Sequence, residues 1–121
     1  MVNDWSIVFY IGARDESPVR EFIAGLDDKT RVRIGSAIER LRILNVQARE
    51  PLVKHLDGKL YELRIESSTN IYRVLYFFFT SRRIVLLHAF QKKSQKTPAK
   101  EIETAIQRMN RYLESEKGVS K

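Results

Sequence analysis

Three runs rich in β-branched and aromatic residues, Leu60–Glu66, Ile71–Thr80 and Arg83–Gln91, follow one another with only a few residues between them. Connections this short join antiparallel neighbours, because a parallel crossover needs a dozen or more residues. The first run ends at the polar Ser67-Ser68-Thr69-Asn70 and the second at Ser81-Arg82, both turn compositions. A three-stranded antiparallel sheet therefore lies at the centre of any fold open to this chain.

The flanks supply the other layer. Trp5, Ile7, Phe9 and Ile11 alternate with Ser6, Val8 and Tyr10, a period of two that predicts a further strand. Gly12 to Glu16 reads as a turn. Ser17-Pro18 is a helix start, with Val19, Phe22, Ile23 and Leu26 on one helical face. Asp27 or Asp28 caps a second helix, whose apolar positions are Ile34, Ala37, Ile38, Leu41, Leu44 and Ala48. Together they predict an αα-hairpin closed by Pro51. Leu52–Lys59 reads as a loop with an Asp57-Gly58 turn. After the sheet, Thr97-Pro98 repeats the cap-plus-proline start. Ile102, Ile106, Met109 and Leu113 make a last amphipathic helix, and Glu114–Lys121 is expected to fray. The order β-α-α-β-β-β-α predicts an α+β fold: a small antiparallel sheet with helices packed on one face. The length of 121 residues, with no repeat and no linker, fits one domain, 1–121.

Strand alternation assigns faces. Tyr61, Leu63 and Ile65 share one face, and Glu62 and Arg64 share the other with Leu60. Arg73 points opposite to Val74 and Tyr76, and Leu86, His88 and Phe90 are expected together. If helices cover one face, the other carries Glu62, Arg64, Arg73 and His88 toward a common groove. The lysine loop Lys92–Lys96 lies at its edge.

Charge marks the same region. The net charge is +7, and residues 49–100 hold 11 basic against 4 acidic residues, while the stretches on either side are each balanced. A basic surface on a rigid sheet suits a phosphate backbone; the plainer reading is a solvated, solubilising surface. Other chemistries fit poorly. There is no cysteine and there are two separated histidines, so no metal site is expected. No glycine fingerprint for nucleotides and no nucleophile-elbow serine is present. The two helices that could form a helix-turn-helix precede the basic segment, in a stretch, 1–48, whose charges balance. Apolar stretches such as Val74–Phe79 are too short to span a bilayer, and the N-terminus shows no signal-peptide pattern. The expected home is the cytoplasm, with no membrane partner.

A cluster of Arg, Lys, His and Glu can cleave RNA without a metal. The ribose 2′-hydroxyl attacks the adjacent phosphorus while the protein aligns the backbone, moves protons and stabilises charge. Arg64 and Arg73 suit the phosphate oxygens. Lys92 or His88 can carry a proton if neighbours tune it. Glu62 is the one carboxylate with a plausible site role, as reactant or as the group that holds an arginine. Lys54, His55, Lys59, Phe90, Lys93 and Lys96 are the remaining RNA-binding candidates. Plain readings stand beside these: His55 as a turn-stabilising residue, His88 and Phe90 as core, Arg73 as a strand charge paired to Glu62, and the lysines as solvated.

The runs Lys54-His55-Leu56-Asp57-Gly58-Lys59-Leu60-Tyr61-Glu62-Leu63-Arg64, Tyr72-Arg73-Val74-Leu75-Tyr76, His88-Ala89-Phe90-Gln91-Lys92-Lys93 and Gln95-Lys96-Thr97-Pro98, together with the element order, resemble the RelE/ParE toxin superfamily. Within it the chain is most similar to the HigB-like, phage Gp49-like branch. The resemblance covers nearly the whole chain. It implies the toxin of a type II toxin–antitoxin pair: an endoribonuclease that needs no cofactor, cuts mRNA on the ribosome and is silenced by a co-expressed antitoxin, expected to be a HigA-like helix-turn-helix protein. By position, Arg73 matches the family's phosphate-contacting strand arginine, Arg64 a basic residue on the preceding strand, and Lys92 the basic residue after the last strand. Two departures stand out. Glu62 occupies a position where RelE has lysine, and no tyrosine lies between Tyr76 and Tyr112, so Phe90 or His88 would have to serve at the cleaved base. Gyrase-directed ParE relatives share the fold. A ParE-like gyrase inhibitor or a non-catalytic RNA-binding module is therefore the alternative.

Overall fold

The protein is described here by a computed structural model covering residues 3–119. In chain order its elements are β1 (Ser6–Phe9), α1 (Pro18–Ala24), α2 (Asp28–Leu44), a 3-10 turn (Asn45–Gln47), β2 (Val53–Asp57), β3 (Leu60–Ser67), β4 (Asn70–Phe79), β5 (Arg83–Lys92) and α3 (Ala99–Val119). The α+β class and the central meander expected from the sequence hold. Asp27 caps α2 as anticipated: its carboxylate accepts from the Thr30 backbone N–H at 3.2 Å and from the Thr30 hydroxyl at 2.7 Å.

Four expectations need correction. The segment read as a loop, 52–59, contains β2, which pairs antiparallel with β3. Its Val-Lys-His-Leu-Asp pattern is mostly exposed, as an edge strand allows, and so lacks a clean apolar alternation. The sheet is mixed and not purely antiparallel. Its order is β1-β5-β4-β3-β2, and β1 runs parallel to β5. The helices do not share one face. α1 and α2 pack on the face carrying Leu63, Ile65, Tyr72, Val74, Tyr76, Ile84 and Leu86. α3 lays Ile102, Ala105, Ile106, Met109 and Leu113 on the opposite face, against Leu60, Leu75, Phe77, Val85, Leu87 and Phe90. The unbroken apolar run Val74–Phe79 is the pattern of a strand buried on both sides. Finally, α3 continues through the segment expected to fray, up to Val119. Arg83 anchors it there, donating to Tyr112 Oη at 3.0 Å and to Glu116 Oε1 at 2.8 Å.

A bulge between β4 and β5 shifts the face assignment. Leu75 pairs with His88 and Tyr76 with Leu86, which leaves Leu87 as the extra residue. Leu86 therefore joins the α1/α2 side, whereas His88 and Phe90 turn to the α3 side. The expected trio Leu86, His88, Phe90 is split.

α3 covers only part of its face. β2 also stops short: Val53 lies opposite Leu63, and the Arg64 backbone N–H donates to the Leu52 carbonyl at 2.9 Å. Beyond Arg64 the edge of β3 is open. The charged residues gather at that uncovered corner.

Candidate functional site

Register alone brings the central residues together. Arg64 pairs with Arg73 across β3 and β4, and Arg73 pairs with Phe90 on β5. Glu62, two residues before Arg64, shares its face. Glu62 is 1% exposed. It accepts from Thr97 Oγ1 at 2.7 Å, and lies 3.6 Å from Arg73 Nε and 3.8 Å from Arg64 Nε. Both ionic distances exceed the 2.7–2.9 Å of a good charged hydrogen bond. Arg73 is 6% exposed, its Nη1 donates to the Tyr72 carbonyl at 3.0 Å, and its buried Nε makes no hydrogen bond. Burial, more than any neighbour, pushes its guanidinium below the ordinary arginine value. Glu62 thus braces two guanidinium groups without saturating them.

Lys92 completes the group from the end of β5. It is nearly buried. Burial first, then the Arg73 charge, hold its amine below the ordinary lysine value, with Arg64 and Lys54 adding and Glu62 opposing. Lys54 stands opposite Glu62 on β2. A cleft of about 720 Å³ opens over this cluster, lined by Arg64, Arg73, Lys92, Lys93 and the turns at 69–71 and 93–95. Lys93 lies at its rim, exposed as expected for a residue that meets solvent or phosphate.

Other residues named from the sequence lie apart from this cleft. His88 is held beneath α3: Arg108 Nη1 donates to its Nδ1 at 3.1 Å, so its Nε2 carries the hydrogen donated to Glu101 Oε1 at 2.7 Å. Burial, with the Arg108 charge adding, holds its imidazole below the usual histidine value despite Glu101. Phe90 is buried and stacked on His88 at 5.4 Å, so its ring faces are not open to a base. His55 closes the β2–β3 turn through Nε2 and the Gly58 carbonyl at 2.7 Å, and packs on Tyr61. Lys59 lines a separate cleft with Phe79, Arg83 and Lys117. Lys96 is exposed, and its carbonyl accepts from Ser94 Oγ at 2.8 Å.

Sequence reasoning missed two contributions. Thr97, read as a helix cap, instead donates its hydroxyl to Glu62; the Pro98 carbonyl receives the first helical N–H groups. Arg33, Arg40 and Arg49 line a second cleft that also reaches Arg64 and Arg73. They fall outside or at the margin of the basic segment, where acidic neighbours cancel them in a count. Their spacing was the available signal, since positions 33 and 40 fall on one face of a helix. Among the described residues no three His, Cys, Asp or Glu side chains gather as a metal site would require, and no helix is long and apolar enough to cross a membrane.

Residues 21–110 match the family described as phage derived protein Gp49-like (DUF891). The chain is also similar to the protein named "Probable endoribonuclease HigB1" in two strains of Mycobacterium tuberculosis, CDC 1551 / Oshkosh and ATCC 25618 / H37Rv. Identity is 35% over 102 residues in each case, spanning 83% of this chain and 78% of the relative. The matched span contains Glu62, Arg64, Arg73 and Lys92.

Proposed function

The chain belongs to the phage-derived Gp49-like family, and on that footing we propose that it is the toxin of a type II toxin–antitoxin pair, a metal-independent endonuclease that cuts mRNA on the ribosome. The observation that carries this reading is the meeting of Arg64 and Arg73 around one buried carboxylate, with Lys92 beside them lining the same open cleft. In the reaction, the ribose 2′-oxygen forms a bond to the adjacent phosphorus and the bond from phosphorus to the 5′-oxygen breaks. A 2′,3′-cyclic phosphate and a 5′-hydroxyl remain. Arg73 and Arg64 hold the phosphate oxygens and oppose the extra negative charge of the transition state. Lys92, whose amine releases its own proton more readily than an ordinary lysine, takes the 2′-hydroxyl proton, and water supplies the proton that the leaving 5′-oxygen takes up. Glu62, locked by Thr97, is a positioning residue for the two arginines. His88 and Phe90 support α3. The HigB-like relatives support the endonuclease reading through their name, and the family supports an antitoxin partner, which we place over the same basic corner.

Mapping RNA 5′ ends after induction tests the proposal. New 5′-hydroxyl ends inside translated frames, absent with Arg73→Ala, are expected. A DNA-damage response without new mRNA ends would move the activity to a gyrase-directed, ParE-like toxin. Binding of RNA without any cleavage would reduce it to an RNA-binding module.

A further inference from the structure

We infer that the second cleft, between α2 and the loop before β2, is a phosphate-binding extension through which the same RNA strand continues past the reacting phosphate. This rests on the endonuclease reading of the Arg64–Arg73 site. The cleft measures about 840 Å³ and is lined by Arg33, Arg40, Arg49, Arg64 and Arg73, with Glu50 and Glu66 as its acidic residues. Arg64, Glu66 and Arg73 line the first cleft as well, so the two are continuous around the open edge of β3.

The arginines of α2 divide into two kinds. Arg31 pairs with Asp28 and reaches the Ala24 and Leu26 carbonyls, and Arg42 makes a two-pronged pair with Glu39 at 2.7 and 2.9 Å. These have the partners expected of a solvated helix face. Arg33 and Arg40 point into the cleft and have no ion pair or side-chain hydrogen bond among the described residues. They are seven residues apart, two helical turns, or roughly 10 Å along the axis. Arg49 at the far wall spends one nitrogen on the Val46 and Ala48 carbonyls, which fixes its stem and directs its charge. Like-charged guanidinium groups left unpaired around a cleft repel one another unless an anion bridges them. Planar two-pronged donors match phosphate oxygens, and a strand leaving Arg73 meets them in succession. An acidic protein segment would satisfy the same charges. The continuity with the reacting-phosphate site favours the nucleic acid.

The test uses the intact protein and fully 2′-O-methylated RNA, which cannot be cut because the attacking hydroxyl is blocked. Strands of about four and about twelve nucleotides, spanning the usual range of single-strand site sizes, are titrated by fluorescence anisotropy. Arg33 and Arg40 are exposed, so Arg33→Ala/Arg40→Ala should fold normally. The wild type should bind the longer strand more tightly. The double variant should match it on the short strand, lose on the order of tenfold on the long one, and show a log–log salt slope shallower by about 1.4. Equal affinity and slope on the long strand overturn the inference while leaving the endonuclease reading intact. Loss of antitoxin binding with RNA binding unchanged also overturns it, in favour of a protein dock. If the wild type binds neither strand, the inference falls, and the mapping of mRNA 5′ ends decides the endonuclease reading separately.

Discussion

Arg73 sits in a position that most buried charges avoid. Its Nε has a carboxylate 3.6 Å away and no hydrogen bond, and one of its terminal nitrogens is spent on a backbone carbonyl. A buried guanidinium with incomplete pairing is costly for the folded protein, and such cost is tolerated where an anion is expected. If Arg73 meets charge that develops in the transition state, Arg73→Ala should lower the cleavage rate by about two to three orders of magnitude. Arg73→Lys should recover only part, since a point charge lacks the fork. Single-turnover cleavage with thermal unfolding as the control decides this; a folded Arg73→Ala protein with wild-type rate would shift the chemistry elsewhere. Glu62 makes the opposite prediction. It touches no open surface, so Glu62→Ala should act first on stability. Arg73 loses its counter-charge and Thr97 its acceptor, a loss of roughly 2–3 kcal/mol measurable by urea unfolding. A variant as stable as the wild type would show that the carboxylate is not the brace described above.

At the scale of elements, α3 is tied to the sheet by a polar link as well as by its apolar face. His88 holds Glu101 and Arg108 from one β5 position. Its imidazole is held below the ordinary value, so the unfolded chain binds a proton more readily than the folded one. Stability from this group is complete above the unfolded value, about 6.5, and is lost as pH falls through the lower folded value. His88→Gln should therefore flatten the fall in melting temperature between about pH 7.5 and about pH 5.5, whereas parallel curves for the two proteins would refute the link. Elements were also the scale at which the sequence was least transparent. The meander, the αα-hairpin and the last helix were legible because each keeps a clean period of two or of three to four. β2 was not, because an edge strand buries little. The bulge at Leu87 was not, because one inserted residue leaves no compositional trace, yet it separates His88 from Leu86 and brings it under α3. The second helical layer was legible in principle: Val74–Phe79 and Ile84–Leu87 are apolar on both faces. That pattern has no use in a sheet covered on one side.

For the whole molecule, the sum of charges is less informative than their arrangement. The excess of +7 is carried by residues 49–100, and of the residues expected to share a groove Arg64, Arg73 and Lys92 line one cleft, whereas His88 lies apart from it. Counting alone could not add Arg33 and Arg40, which the fold carries to the same corner from the charge-balanced stretch 1–48. Lys59, inside the basic segment, is carried away to another cleft. The field at the corner should therefore be read by RNA length. A short strand confined to the first cleft meets Arg64, Arg73 and Lys93, and three phosphate contacts give a log–log salt slope of about −2 on single strands. A strand long enough to reach Arg33, Arg40 and Arg49 adds three contacts and steepens it to about −4. Anisotropy titrations of both strands between low and physiological salt check the pair of slopes. Equal slopes would confine binding to one cleft, and a flat response in both would mean that the basic corner does not hold nucleic acid at all.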